Sequence, residues 1–319
     1  MINKRSTLGW CDFTWDPVTG CKMSCSFCPG RKRLSHFKGD IRFNMSDERI
    51  AKADTEGLYI LTKPLSKNKS AIPAPTGFYP TFHPYRLPLL AKKWKPANIN
   101  VCHSGELFGD WIPTEWILQI FKACQASPQH NYLFLTKNPQ RYYELDEAGL
   151  LPDLGNFWYG TRINEPTKAY VSKRHHTFVC IEPLGRFANR YVLPETDWVI
   201  LGGDENTKIK WIENILAQKG TIPLFMADSK GMRQVWNKPI IQEWPAELQM
   251  PADIPVPHCN ECNNVVITPQ GKRGFGHICI HPDIMGMCSN TKGKFIPGRY
   301  ARQSPQWCPK RAGRNWRIK

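Results

Sequence analysis

Short runs of apolar and β-branched residues recur through the first three-quarters of this chain, each followed by a turn and a longer stretch. They are Phe13–Val18, Gly77–Phe82, Ile99–His103, Tyr132–Thr136, Phe157–Thr161, Thr177–Ile181, Trp198–Leu201 and Pro223–Met226. Tyr132-Leu-Phe-Leu-Thr136 and Trp198-Val-Ile-Leu-Gly202 lack polar alternation, as strands buried on both faces do. Helical spacing lies between several of them. Thr114 is a candidate cap for a helix carrying Ile117, Ile120, Phe121 and Cys124 on one stripe. A second helix is predicted from about Ile209 to Lys219, with Trp211, Ile212, Ile215 and Leu216 together and Gly220 as its C′ glycine. Strand–helix alternation implies an α/β fold with a parallel sheet and crossover helices. Eight strand candidates predict a (β/α) barrel, complete or partial and TIM-like, over residues 1–245. An open doubly wound sheet is the alternative. The long interval from about residue 30 to 76 is read as an insertion.

Prolines crowd Glu243–Pro257, and residues 246–257 read as a linker. Residues 258–319 are expected to form a small Cys-rich, basic, metal-binding module. No run approaches the roughly 18–20 apolar residues of a membrane span, so no membrane partner is expected. The N-terminus lacks an apolar secretory region, so a cytoplasmic location is expected. The chain has 12 cysteines in 319 residues, many in C-x2-C and C-x3-C spacings. In a reducing compartment such spacing points to metal rather than disulfides.

The sharpest motif is Gly20-Cys21-Lys-Met-Ser-Cys25-Ser-Phe27-Cys28. Its C-x3-C-x2-C spacing puts three thiolates on one short loop. A four-iron cluster normally takes four cysteines, so three leave one iron open to another ligand. The loop follows the first strand candidate, which in a parallel barrel is the mouth where active sites lie. A zinc knuckle completed by His36 or Cys11 is the alternative from spacing alone.

C-x3-C-x-aromatic-C resembles the radical S-adenosylmethionine (SAM) pattern, matched by Cys21, Cys25 and Cys28 with Phe27 as the aromatic. The likeness extends to Thr14-Trp-Asp-Pro-Val-Thr-Gly-Cys21, Phe82-His-Pro-Tyr-Arg-Leu87, Gly105-Glu-Leu-Phe-Gly-Asp-Trp-Ile-Pro113 and Phe134-Leu-Thr-Lys-Asn-Pro139. It continues through Trp158-Tyr-Gly-Thr161, Ile181-Glu-Pro-Leu184 and Trp198-Val-Ile-Leu-Gly-Gly203. Over roughly residues 8–245 the chain resembles a phage-associated radical-SAM-like family of unassigned function. The resemblance implies a [4Fe-4S] cluster that chelates SAM and cleaves it reductively to a 5′-deoxyadenosyl radical. It also implies an external reductant such as flavodoxin or ferredoxin.

Strand ends face the mouth of a barrel and nominate further residues. These are His103, Ser104 and Glu106; Thr136 and Lys137; Thr161, Arg162 and Asn164; Glu182; Gly202, Gly203 and Asp204; and Asp228. Lys137 is a candidate partner for the SAM carboxylate, Glu106 or Glu182 for its ammonium or ribose. The two glycines would admit an adenine or ribose close to the backbone. His83, beside Pro84, is read either as a donor to the site or as a turn residue.

Cys259, Cys262, Cys279, Cys288 and Cys308 form a second group, for zinc or an auxiliary Fe–S cluster. Cys11, Cys102, Cys124 and Cys180 fall in apolar runs and are expected in the core. Formal net charge is +16, and residues 251–319 hold 11 Lys/Arg against 3 Asp/Glu, half of that excess. Aromatics interleave with these cations, as a DNA or RNA surface requires. Three functions follow: a radical SAM enzyme modifying or repairing nucleic acid or nucleotide, one acting on a protein or small metabolite, or a non-catalytic zinc-stabilised nucleic-acid-binding phage protein.

Overall fold

The computed structural model describes residues 6–249 except 26–27, 29, 33–43, 54–56, 68–69, 73, 93–94 and 165–167. Beyond 249 it describes the strands at 265–269, 275–279 and 294–296. Two compact units emerge, Met1–Lys93 with Ala97–Gln249, and Trp94–Pro96 with Met250–Lys319.

The first unit is built in chain order from β1 (Phe13–Trp15), β2 (Val18–Thr19), β3 (Ile50–Lys52), β4 (Tyr59–Leu61), β5 (Leu65–Lys67), β6 (Ser70–Ile72), β7 (Thr81–Phe82) and β8 (Asn98–Val101). There follow α1 (Thr114–Gln125), β9 (Asn131–Thr136), α2 (Gln140–Glu147), β10 (Phe157–Ile163), β11 (His176–Ile181), β12 (Trp198–Leu201), α3 (Ile209–Gln218), β13 (Leu224–Met226) and α4 (Lys230–Val235). Seven strands form one sheet in the order β1-β8-β9-β10-β11-β12-β13, every pairing parallel. The order follows the chain, so the sheet curls as a half-barrel, a partial TIM-like barrel with β1 and β13 as its edges. The expectation of eight barrel strands is corrected by one. Gly77–Phe82 supplies only β7, which joins the small mixed sheet β2-β7-β4-β3. The interval read as an insertion supplies two strands of that sheet, β3 and β4, and the hairpin β5–β6.

Period-two alternation divides the barrel strands into two faces. One parity, including Ile99, Val101, Tyr132, Phe134, Phe157 and Tyr159, packs with Ile117, Ile120 and Phe121 of α1 and Tyr142 of α2. Farther along, Val179, Ile181, Val199 and Leu201 pack with Trp211, Ile212 and Ile215 of α3. The other parity, Leu133, Trp158, Phe178, Cys180, Trp198, Ile200 and Phe225, faces away from these helices and gathers around Trp10 and Leu248. Trp244 packs tilted against Trp198 and edge-on against Phe225, with ring centroids 5.2 and 5.3 Å apart, and Trp198 Nε1 donates to the Glu243 carbonyl at 3.0 Å. The barrel interior is therefore plugged by aromatics at one end. Gly160 makes this possible: a Cβ there would lie 2.2 Å from the Phe178 ring.

Thr114 is the first residue of α1 rather than its cap, and its hydroxyl accepts from Arg141 Nη2 at 2.7 Å. Helix α3 ends as its sequence implies, with Gly220 at φ +53°. The second unit contains β14 (Val265–Pro269), β15 (Phe275–Cys279) and β16 (Lys294–Ile296) in an antiparallel sheet of that order.

Candidate active site

The inward parity that ends in aromatics at one end ends in polar groups at the other. β8 carries Asn100 inward, β9 leads through Leu135 to Lys137, β10 carries Arg162, and β11 leads to Glu182. All line a cavity of about 460 Å³, together with Cys21, Cys25 and Cys28, Met23, Phe78, Ser104, Glu106, Thr136, Gly203 and Asp204. It lies at the C-terminal ends of the parallel strands, as barrel geometry requires of a site.

The loop bearing the three cysteines is clamped at its start. Gly20 N donates to the Ser104 carbonyl at 3.0 Å, and Glu106 N donates to the Gly20 carbonyl at 3.2 Å. Cys21 N donates to the Phe78 carbonyl at 3.1 Å. Gly20 has φ +82°, and a Cβ would fall 2.3 Å from the Tyr79 carbonyl oxygen. Only glycine satisfies both demands. Ser104 is held in turn by Asp16, whose two oxygens accept from Ser104 N at 2.9 Å and Ser104 Oγ at 3.0 Å. Arg31 lies over the Phe78 ring at 4.7 Å and donates to the Met23 carbonyl at 3.0 Å.

Each of the three sulfurs accepts one hydrogen bond from a described group. Met23 N donates to Cys21 Sγ at 3.2 Å, Arg31 N to Cys28 Sγ at 3.3 Å, and Lys137 Nζ to Cys25 Sγ at 3.4 Å. Burial pushes the Cys21 thiol up to about 12, only partly offset by Met23 N–H, while Glu106 and the neighbouring cysteines push the same way. A metal would therefore displace a proton on binding Cys21.

Glu106 is 6% exposed and heavily bonded. Oε1 accepts from Thr136 Oγ1 at 2.6 Å and Phe108 N at 3.2 Å, and Oε2 accepts from Lys137 N at 3.1 Å. Burial raises its pKa, partly offset by these bonds and by Arg162. Arg162 Nη2 sits 3.3 Å from Glu182 Oε2. Burial works against its charge, but Cys180, Glu182 and Glu106 around it prevail and hold its pKa above the usual arginine value.

The cavity thus brings together Cys21, Cys25, Cys28, His103, Ser104, Glu106, Thr136, Lys137, Arg162, Asn164, Glu182, Gly203 and Asp204. Thr161 stands elsewhere. It has the outward parity, and its hydroxyl accepts from Tyr170 N at 2.9 Å. Gly202 makes room for a neighbouring side chain, since a Cβ there would meet Glu182 Cγ at 2.5 Å. Asp228 pairs with Arg233. His83 is buried beside Thr19, its Nε2 2.9 Å from Thr19 Oγ1. Phe27, Cys259, Cys262, Cys288 and Cys308 lie outside the described residues, as does His36, and Cys279 closes β15. Asp16, Asn100, Phe78 and Cys102 were not foreseen as site residues. Asp16 and Asn100 had a signal, an inward position at a strand end; Phe78 and Cys102 reach the cavity through turns whose course is set by distant pairing.

Three thiolates of a cubane each bind a different iron, so they must share one cavity without converging on a point. A single zinc would instead draw its sulfurs to about 2.3 Å from one centre. Among the described residues, no three His, Cys, Asp or Glu side chains are gathered around one ion position. Cys11, one of the two candidate fourth zinc ligands, is buried and donates to Ser6 Oγ at 3.2 Å, and it does not line the cavity; the other, His36, lies outside the described residues. Three thiols on one cavity are the donor type that an Fe–S cluster takes. No described helix is long and apolar enough to cross a membrane.

Among solved structures, spore photoproduct lyase complexed with dinucleoside spore photoproduct aligns at TM-score 0.39 and 9% identity, covering 90% of this chain and 73% of that one. A cysteine-to-serine mutant of spore photoproduct lyase aligns at TM-score 0.38 and 10% identity, over 90% and 73% of the two chains. No curated protein matches the chain. Residues 5–222, most of the half-barrel and the whole cysteine loop, match one family throughout, and the chain belongs to DUF5131, a family of proteins of unknown function.

Proposed function

We propose that this protein is a radical SAM enzyme acting on a nucleic acid or nucleotide. The observation that carries the reading is that Cys21, Cys25 and Cys28, in C-x3-C-x2-C spacing, all line one cavity at the strand ends of a parallel half-barrel. They would hold a [4Fe-4S] cluster. When bound, the cluster supplies an electron to the sulfonium of SAM, whose cleavage to methionine and a 5′-deoxyadenosyl radical starts hydrogen abstraction from substrate.

The remaining residues bind and orient. A carboxylate has about four lone-pair positions, and Glu106 uses three of them within the protein. The fourth suits the ammonium of SAM. Arg162 makes one contact with Glu182, leaving N–H groups for a carboxylate in the cavity. Glu182 and Asp204 are acceptors for ribose hydroxyls, and Gly203 lets backbone approach. Ser104 is kept in place by Asp16. Leu8, Met23, Phe78 and Leu135 supply apolar lining that limits water. Support for a nucleic-acid substrate is the net charge of +16 and the aromatic pair at the loop, Phe78 under Arg31 and Tyr79 at 50% exposure.

Anaerobic reconstitution with iron, sulfide and a strong reductant tests the reading. About four irons per chain at this site are expected, together with 5′-deoxyadenosine release from SAM. Cys25→Ala should abolish both. One tightly bound zinc held by these cysteines, with no iron uptake, would overturn the proposal.

A further inference from the structure

We propose that Lys137 is a positioning residue that sets the reduction potential of the centre held by Cys25, an inference that rests on the cluster reading above. The three sulfurs are not equivalent. Cys21 and Cys28 receive backbone N–H groups of their own loop, whereas Cys25 receives the ammonium of a residue 112 positions away. Side-chain substitutions at Met23 or Arg31 other than proline leave these backbone donors in place. The bond to Cys25 comes from a side chain, so a single substitution at Lys137 changes it directly.

Lys137 is aimed by its neighbours. It follows Leu133 and Leu135 on the inward parity of β9, so its side chain leaves the sheet into the cavity. Its backbone N is tied to Glu106 Oε2 at 3.1 Å, and Thr136 before it is tied to Glu106 Oε1 at 2.6 Å. Asn138 after it donates from its backbone to Thr136 Oγ1 at 2.9 Å and from Nδ2 to the Phe108 carbonyl at 2.9 Å. The main chain at 136–138 is therefore fixed without the lysine side chain, and a change at Nζ leaves the mounting intact.

Charge decides the direction. Gaining one electron adds negative charge to a cluster and its thiolates, and Fe–S potentials follow net charge and hydrogen bonds to sulfur. An ammonium on Cys25 Sγ stabilises the reduced state more than the oxidised one. The buried carboxyl of Glu106, on the Cys21 side, acts in the opposite sense. Lys137 offsets it.

The test uses the reconstituted full-length protein and its Lys137→Met, Lys137→Gln and Lys137→Arg variants, titrated potentiometrically with dithionite and followed by electron paramagnetic resonance. Lys137→Met is expected to lower the midpoint potential, by about 59 mV for each ten-fold loss of preference for the reduced state. Lys137→Gln, which keeps an N–H donor without charge, should fall between, and Lys137→Arg should return most of the shift. The resonance line shape should change with the same ranking. Equal potentials in wild type and Lys137→Met would overturn the inference while leaving the enzyme reading in place. If Lys137→Met and Lys137→Gln bind no cluster while Lys137→Arg does, the lysine serves assembly and the inference is likewise overturned. A wild-type protein that takes up no iron overturns the enzyme reading, and this one with it.

Discussion

The imidazole of His83 is fully buried, with Nε2 on Thr19 and Nδ1 lacking a hydrogen-bond partner among the described residues. Burial, with Arg86 adding to it, holds its pKa well below the ordinary 6.5. The folded protein thus keeps His83 neutral where the unfolded chain would take a proton. Stability from this group is complete above about pH 6.5 and declines as pH falls below it, because the unfolded state binds more protons. One such group contributes a slope of at most roughly 1.4 kcal/mol per pH unit. Urea midpoints measured between pH 7.5 and 5 should fall more steeply for wild type than for His83→Gln. Equal slopes would show that His83 titrates normally. From sequence, the residue was legible only as a donor or a turn residue, because its burial depends on the β2–β7 pairing.

Strand β10 shows what an element adds to its residues. Its inward positions are Trp158, Gly160 and Arg162, and its outward ones include Tyr159 and Thr161. Thr161 is a candidate because it ends an apolar run, yet it shares the outward parity of Tyr159, while Arg162 has the parity that lines the cavity. The parity was available in the sequence; the register that decides which parity faces inward was not. Gly160 carries the packing consequence. A methyl group at 160 would collide with the Phe178 ring on the neighbouring strand. Gly160→Ala should destabilise by roughly 1–3 kcal/mol through overpacking, read from urea unfolding. Adding Phe178→Leu should recover part of the loss, since the two sites are in contact and couple. Additive losses in the double variant would reject this account.

At the scale of the whole molecule, the charge distribution is the largest unexplained asset. The excess of +16 is spread over both units, with half of it in residues 251–319. If the substrate is a nucleic acid, binding should be steeply salt-dependent, falling about 300-fold between 50 and 200 mM salt for around six phosphate contacts to a single strand. Fluorescence anisotropy with a single-stranded oligonucleotide measures this. Affinity that is absent or insensitive to salt would move the substrate to a protein or small metabolite and leave the cysteine site untouched.

The sequence by itself determined the parallel α/β architecture, most strand positions and the three-cysteine loop at a strand end. These rest on local pattern: apolar runs, helical periodicity and spacing within eight residues. Only the tertiary structure decided that seven strands and not eight make the barrel sheet, that Asp16 anchors Ser104, and that Lys137 reaches Cys25. Those outcomes depend on which distant segments pair and in which register, and long-range pairing is settled by the packing of the whole fold rather than by neighbours along the chain.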